Sequence, residues 1–181
     1  MKYILIVFTC LLAVSCDNSQ SLQEYYVDNK ENQDFVMLDV PTSLIAPAAN
    51  RMSEEQQEVL KTVKKVNILA LPLNAETKNL YSPETEKVKT ILDHDGYEEL
   101  MSFGKPSQRM RLYFKGEEDA IDEMVVFAQD ENKGFVLARL LGDNMNVADM
   151  IKLSQTMSKD DGSFDTSQFE GVMDIFKNQQ P

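Results

Sequence analysis

The side chains best suited to acid–base chemistry centre on His94, the one histidine of the 181-residue chain. It lies between Asp93 and Asp95 in the stretch LDHDG, and neighbouring carboxylates favour the protonated imidazole. The same stretch ends a predicted helix, where a cation interacts favourably with the helix dipole. A hydrolytic triad also needs an activated serine in a strand–turn–helix elbow, and the sequence has no GxSxG motif. We therefore interpret His94 as a helix-terminal residue and predict no catalytic residue.

A second stretch with chemical potential is SKDDGSFDTSQFEGVM (158–173), which superficially resembles a calcium-binding EF-hand loop. With Gly162 at the sixth loop position, Met157 and Gln168 occupy the first and twelfth positions, where calcium requires carboxylates. Zinc sites take three or four cysteine or histidine ligands, and the chain has two cysteines and one histidine. Its seven glycines are scattered singly, so no phosphate-binding loop occurs. We predict no metal site and no cofactor.

Paired carboxylates are harder to exclude, because 30 acidic residues bring some of them close together. Glu98 with Glu99, and Glu117 with Glu118, lie in predicted turns or at strand ends, where solvated charge is the usual state. A glycosidase needs two carboxylates beside the sugar and aromatic side chains around its cleft, and the chain has no tryptophan. A carboxylate-dependent surface hydrolase stays an alternative to a non-enzymatic protein.

The N-terminal stretch MKYILIVFTCLLAVSC has the layout of a secretory signal, with basic Lys2, an apolar run and a small residue before Cys16. The run is shorter than the roughly 20 apolar residues that span a bilayer. Its last residues, AVSC, resemble the lipobox of bacterial lipoproteins, whose cysteine is acylated and becomes the first mature residue. We predict a signal peptide over residues 1–15 and lipidation of Cys16, which anchors the protein to a membrane. A plain signal peptide with an incidental cysteine is the alternative.

The net charge of the chain restricts the classes of partner that it can bind. The formal net charge is −12, which excludes nucleic acid as a ligand because phosphates require a basic surface. The same charge disfavours adsorption to anionic lipid, so the acyl chains on Cys16 must provide the attachment. We expect a lipid-anchored protein of the cell envelope, with the outer membrane favoured and both its periplasmic and its surface side left open.

Hydrophobic periodicity predicts an alternation of helices and strands in the first half of the chain. The predicted elements are a short helix near Leu22–Tyr26, a strand over Asp34–Pro41, a helix over Ser53–Lys65, a strand over Val66–Leu73, and a helix that Ser82 caps, with Pro83 in its first turn.

The second half has a different pattern. Four short apolar runs, separated by turn formers, predict an antiparallel meander; they are YEELMSF, RMRLYF, DEMVVFAQ and GFVLARLL. Two more helices follow, one capped by Asn146 and one over TSQFEGVMDIFK. We predict an α+β fold, a mostly antiparallel sheet with a C-terminal four-strand meander and helices packed on one face. Residues 16–33 form the lipidated N-terminus, tether and short helix, and residues 34–181 a single domain.

Alternation along RMRLYF predicts a candidate partner surface. In this alternation Met110, Leu112 and Phe114 are expected to face the helices. Arg109, Arg111 and Tyr113 then stand on the open face of the sheet, beside Phe127. Arginine and aromatic side chains are typical of interaction surfaces. The alternative is a purely structural role, in which cross-strand ion pairs such as Arg111 with Glu123 stabilise the sheet.

The order of these elements, together with DFVMLDVPTSLIA, the YEELM segment and LLGDN before a helix, resembles a known family. It is domain of unknown function family 4252, found in predicted lipoproteins of the Bacteroidetes, and the resemblance covers roughly Gln23–Met157. It implies an envelope location and a fold, and assigns no residue a function. Our first hypothesis is a non-enzymatic protein that binds an envelope protein or peptide; a regulatory accessory of envelope-stress signalling is an alternative.

Overall fold

The computed structural model describes residues 20–41, 53–117 and 119–152. Its helices are α1 (Leu22–Asp28), α2 (Glu54–Thr62) and α3 (Lys78–His94), and residues 147–152 are also helical. Its strands are β1 (Val36–Pro41), β2 (Val63–Pro72), β3 (Glu98–Lys105), β4 (Gln108–Glu117), β5 (Ala120–Asp130) and β6 (Gly134–Met145).

All six strands form one sheet in the order β1-β2-β6-β5-β4-β3. Every neighbouring pair is antiparallel, so β3 to β6 form the predicted four-strand meander, and β2 joins it alongside β6. The α+β class and the antiparallel sheet are confirmed.

One face of the sheet is covered by α1 and α3. The largest side chains of this core include Tyr25 of α1, Leu92 of α3, and Phe127 and Phe135 of the sheet, all fully buried. The rings of Phe127 and Phe135 meet edge to face, with their centroids 5.6 Å apart. Two helices thus cover the face on which Arg109 and Arg111 lie.

A second, smaller core lies on the opposite face. There Phe114 and Met124 of the sheet pack with Met150, and Val59 of α2 packs against the same cluster. The prediction of helices on one face describes α1 and α3, whereas α2 and residues 147–152 lie on the other. Both faces of the strands carry apolar residues, so the sequence pattern does not indicate which helices pack on which face of the sheet.

Two helices start where the sequence predicts. Ser21 and Glu24 form a capping box before α1, and Ser53 and Gln56 form one before α2. The end of α2 differs from the prediction, because the helix stops at Thr62 and β2 begins at Val63. Val63 is only 4% exposed in the second core, and its burial there favours the extended conformation over a last helical turn.

The start of α3 also differs. Ser82 is not its cap, since the helix begins at Lys78 and contains Pro83 in its second turn. The chain before it is held by Thr77, whose hydroxyl donates to the Pro72 carbonyl at 2.6 Å. Leu80 and Tyr81 pack against the first core and extend the helix upstream.

No helix within the described ranges is long and apolar enough to cross a membrane.

Candidate functional site

A cleft of about 280 Å³ opens between the N-terminal half of α3 and the end of the sheet where β4 begins and β5 ends. We call it the basic cleft, because three of its lining residues are cations: Lys89 on α3, and Arg109 and Arg111 on β4. Glu86 and Glu131 also line it, so its charged side chains sum to one positive charge. In a chain of net charge −12 this is a local inversion of sign.

Register explains why the arginines meet there. Arg109 lies opposite Gln129 and Arg111 opposite Phe127 on β5, so both arginines project from the face that α3 covers. The β3–β4 turn closes one side of the cleft through Pro106. Both arginines are half-buried, which is typical of long side chains that pack their stems and expose their charge.

Arg109 differs from the other two cations in having no partner. Lys89 pairs with Glu86 at 2.6 Å, and Arg111 lies 4.0 Å from Glu99 and donates to the Tyr113 hydroxyl at 3.3 Å. The Arg109 guanidinium makes no ion pair or side-chain hydrogen bond with any residue in the described ranges. None of its donors is therefore used by another side chain of the described structure.

Hydroxyl groups line the helix side of the cleft. Thr85 is only 5% exposed, and its Oγ1 has no hydrogen-bond partner within the described structure. The Tyr81 hydroxyl lies near it. Burial, followed by the nearby charges of Glu131 and Asp130, raises the pKa of Tyr81. Tyr81 is therefore a neutral hydroxyl at physiological pH, available as a donor together with exposed Ser82.

The structure brings the four residues of the predicted partner surface to one face of the sheet, where Arg109 and Arg111 are half-buried and the two aromatic residues are not exposed. Tyr113 is 2% exposed and Phe127 fully buried, and both belong to the first core. The face that we expected to be open is the one that α1 and α3 cover. Met110 lies on the opposite face and is 42% exposed. The alternation was correctly identified, and its direction was reversed.

The expected ion pair between Arg111 and Glu123 is also not formed. Arg111 faces Glu99 on β3, and Glu123 instead pairs with Arg139 on β6. Both ion pairs join neighbouring strands, as the alternative interpretation predicts, but the partners differ from the expected ones.

The sequence model of the domain of unknown function DUF4252 matches residues 25–153, well over half of the chain. The chain belongs to the DUF4252 family. This confirms the resemblance expected from the sequence. No curated protein and no solved structure matches the chain. The match includes all residues that line the basic cleft.

The DUF4252 domain holds a second polar group, which we call the buried ion pair. Arg139, 8% exposed, lies on β6 opposite Val125 of β5, and Glu123, 5% exposed, lies two residues before Val125. Arg139 donates from Nε to Glu123 Oε1, and from Nη2 to Glu123 Oε2 at 2.8 Å. The side-chain oxygen of Gln23, on α1, accepts a hydrogen bond from Nη1 of Arg139.

Tyrosines complete this arrangement. The Tyr97 hydroxyl donates to Glu123 at 2.5 Å, and the guanidinium of Arg139 lies 6.0 Å from the centre of the Tyr26 ring. Burial lowers the pKa of Arg139, but the hydrogen bond and charge of Glu123 outweigh it and raise the pKa overall. With every polar end satisfied and little exposure, the pair has a structural role. The sequence signal for it was the charged residues Glu123 and Arg139 within the otherwise mostly apolar runs DEMVVFAQ and GFVLARLL.

The remaining chemical candidates stay dispersed. His94 is exposed at the end of α3, where its Nδ1 lies 2.8 Å from the Thr90 carbonyl oxygen. Glu98, Glu99 and Glu117 are exposed. Within the described part of the chain no three His, Cys, Asp or Glu side chains are placed to hold a metal ion. Cys16 and the stretch 158–173 lie outside the described residues.

Proposed function

We propose that this DUF4252 protein is a non-enzymatic, lipid-anchored envelope protein that binds a partner protein or peptide through the basic cleft. The observation that carries the proposal is Arg109, a half-buried residue at a cleft wall whose guanidinium has no partner within the described ranges. Arginine is the cation most often used in protein recognition, because its planar group offers several donors at low cost of ordering.

The lining of the cleft favours binding over catalysis. None of its lining residues is a histidine or a cysteine. Glu86 is already paired with Lys89 at 2.6 Å, which suits a charged wall better than a proton-transfer role. The cleft is also open to solvent, whereas acid–base catalysis gains most from a site that excludes water.

The place where the tether enters supports access to the cleft. The Leu22 N–H at the start of α1 donates to Asp95 at 3.1 Å, just beyond the C-terminal end of α3. The cleft residues of that helix run from Tyr81 to Lys89, roughly 9–21 Å from Asp95 at a rise of about 1.5 Å per residue. Acyl chains on Cys16 would therefore hold the protein by the C-terminal end of α3, away from the rim of the cleft at Tyr81 and Ser82.

Charge reversal at Arg109 tests the proposal. We expect Arg109→Glu to abolish recovery of partner proteins that the wild-type protein brings down reproducibly after cross-linking in intact cells and membrane solubilisation. Lys30→Glu is the matched control, because it makes the same charge change on an exposed residue just after α1.

Quantitative mass spectrometry of the recovered proteins gives the comparison. If the same partners are recovered in equal amounts with wild type, Arg109→Glu and Lys30→Glu, the cleft is not the binding surface. Equal membrane content and equal thermal unfolding midpoints of the three proteins show that folding is unaffected.

A further inference from the structure

We infer that the group recognised in the basic cleft is a single side-chain carboxylate, from an aspartate or glutamate of the partner, bound by the guanidinium of Arg109. The inference rests on the proposed function and specifies its ligand. It follows from which cations are free, from the charge balance of the walls and from the size of the cleft.

Arg109 is the one cation of the three that has no acidic or hydroxyl partner within the described ranges. Lys89 is engaged by Glu86, and Arg111 by Glu99 and the Tyr113 hydroxyl. The planar guanidinium of Arg109 can donate two parallel hydrogen bonds, a geometry that matches the two oxygens of a carboxylate. The one unpaired guanidinium can therefore bind one carboxylate in this way.

The charge of the walls selects among anions. Lys89 with Glu86 and Arg111 with Glu99 form two neutral pairs, so Arg109 is the one unpaired cation, and it can balance one negative charge. A phosphate group, with a charge of about −1.5 to −2, would leave excess negative charge beside Glu86 and Glu131. Like charges in a partly desolvated site repel strongly, so the two glutamates act against phosphate and in favour of a monovalent acid.

Size and hydrogen bonding agree with a side chain. The volume of about 280 Å³ is large enough for one side chain and lies at the small end of ligand sites, which run to about 1,000 Å³. The exposed Ser82 hydroxyl stands on the α3 wall, opposite Arg109. It is suited to donate to a carboxylate oxygen or to the amide groups next to it.

Matched peptides test the inference on the full-length protein purified in non-ionic detergent. The probes are an amidated pentapeptide with one central glutamate, its glutamine counterpart, the glutamine peptide with a free C-terminal carboxylate, glutarate and inorganic phosphate. Binding is followed by NMR of the arginine Nε–H groups at low salt. We expect the glutamate peptide to bind about tenfold more tightly than the glutamine peptide and than phosphate, with the largest shift at Arg109.

Variants separate the guanidinium from its charge. Arg109→Gln is expected to remove the preference for glutamate over glutamine, Arg109→Lys to retain only part of it, and Lys30→Gln to leave it unchanged. Equal affinity for the two amidated peptides, or an unchanged preference in Arg109→Gln, would overturn the inference. Preference for the free C-terminus, for glutarate or for phosphate would overturn the assignment to a side chain.

Failure of the inference and failure of the proposed function give different results. If Arg109→Glu abolishes partner recovery in cells while the peptides show no preference for carboxylate, the inference is overturned and the cleft is still the binding surface. If the glutamate preference is present and depends on Arg109, the inference is supported, whatever partner recovery shows.

Discussion

At the scale of single residues, the side chains that cost most to bury are Glu123 and Arg139. Moving a charge from water into a protein interior costs several kcal/mol, and only a well-formed pair with satisfied hydrogen bonds recovers that cost. Here both carboxylate oxygens of Glu123 accept from Arg139, and Tyr97 adds a third donor. The pair is therefore sensitive to loss of one partner and much less so to loss of both.

We predict that Glu123→Ala lowers the free energy of unfolding by about 3–5 kcal/mol, because it leaves Arg139 buried without a counter-charge. The double variant Glu123→Leu with Arg139→Met should recover most of that loss, since it removes both charges and keeps the volume. Urea unfolding followed by circular dichroism gives the values. A double variant no more stable than Glu123→Ala would show that the pair itself, and not the isolated charge, determines the stability.

Residue-level prediction from the sequence succeeded for alternation and failed for direction. The pattern of β4 correctly placed Arg109 and Arg111 on one face of the sheet and Met110 on the other. It could not indicate which face the helices cover, because Tyr113 and Phe114 are both large and apolar enough to be core residues. The two faces bury them to 2% and 4% exposure. Only the position of α3 along the sheet decides the matter, and that is tertiary information.

At the scale of elements, α1 has a larger role than its 7 residues suggest. Its Tyr25 donates to Glu84 of α3 at 2.7 Å, and its Tyr26 donates to the Leu137 carbonyl of β6 at 2.7 Å. These two contacts attach the helix to both of its neighbours. A short helix has little stability alone, so these tertiary contacts hold it in place.

Alkaline pH should weaken this attachment. Burial is the main cause that raises the pKa values of Tyr25, Tyr26 and Tyr97, and the bonds of Tyr25 to Glu84 and of Tyr97 to Glu123 add to it. In the unfolded chain tyrosine loses its proton near pH 10. Above that pH the unfolded state binds fewer protons than the folded state, so the free energy of unfolding falls as the pH rises.

Urea unfolding between pH 8 and pH 11 measures this dependence. We expect full tyrosine-linked stability below about pH 10, a decline above it, and a smaller decline in Tyr26→Phe, which has one fewer raised pKa. An identical slope in wild type and Tyr26→Phe would contradict the assignment. Tyrosine absorbance at alkaline pH is an independent check, because the buried rings should ionise only as the protein unfolds.

Element types were predictable from the sequence, whereas two element ends were not. The capping serines Ser21 and Ser53 indicate helix starts through local hydrogen bonds, and local chemistry is readable in a sequence. The junction of α2 and β2 at Val63 and the start of α3 at Lys78 depend on packing against the two cores. Such tertiary contacts outweigh local signals like Pro83.

At the scale of the whole molecule, an acidic protein presents a basic cleft along the first part of α3, and the start of α1 contacts the chain just beyond the C-terminal end of α3. At most about 20 Å of extended chain separates Cys16 from Leu22, so lipidation would keep the domain close to the membrane. Under the proposed function, attachment and recognition would then lie at different places along α3. The negative net charge of −12 reduces non-specific contact with anionic lipid.

Replacement of the cysteine tests the anchor. We expect Cys16→Ala to move the protein from the membrane fraction to the soluble fraction and to abolish incorporation of labelled fatty acid, because the proposal assigns all acyl groups to this one residue. Cell fractionation with immunoblotting and metabolic labelling measure the two effects. A Cys16→Ala protein that stays membrane-bound and labelled would contradict lipidation at this residue.

Site-specific photo-cross-linking in intact cells tests the role of the basic cleft most directly. A photoreactive amino acid at Ser82, which is exposed at the rim of the cleft, is compared with the same amino acid at Glu58 on α2, which packs on the opposite face of the sheet. We predict a discrete cross-linked partner from position 82 that disappears when Arg109→Glu is added, and no such product from position 58. Cross-links of equal yield from both positions, or a product at position 82 that persists with Arg109→Glu, would contradict binding through the cleft.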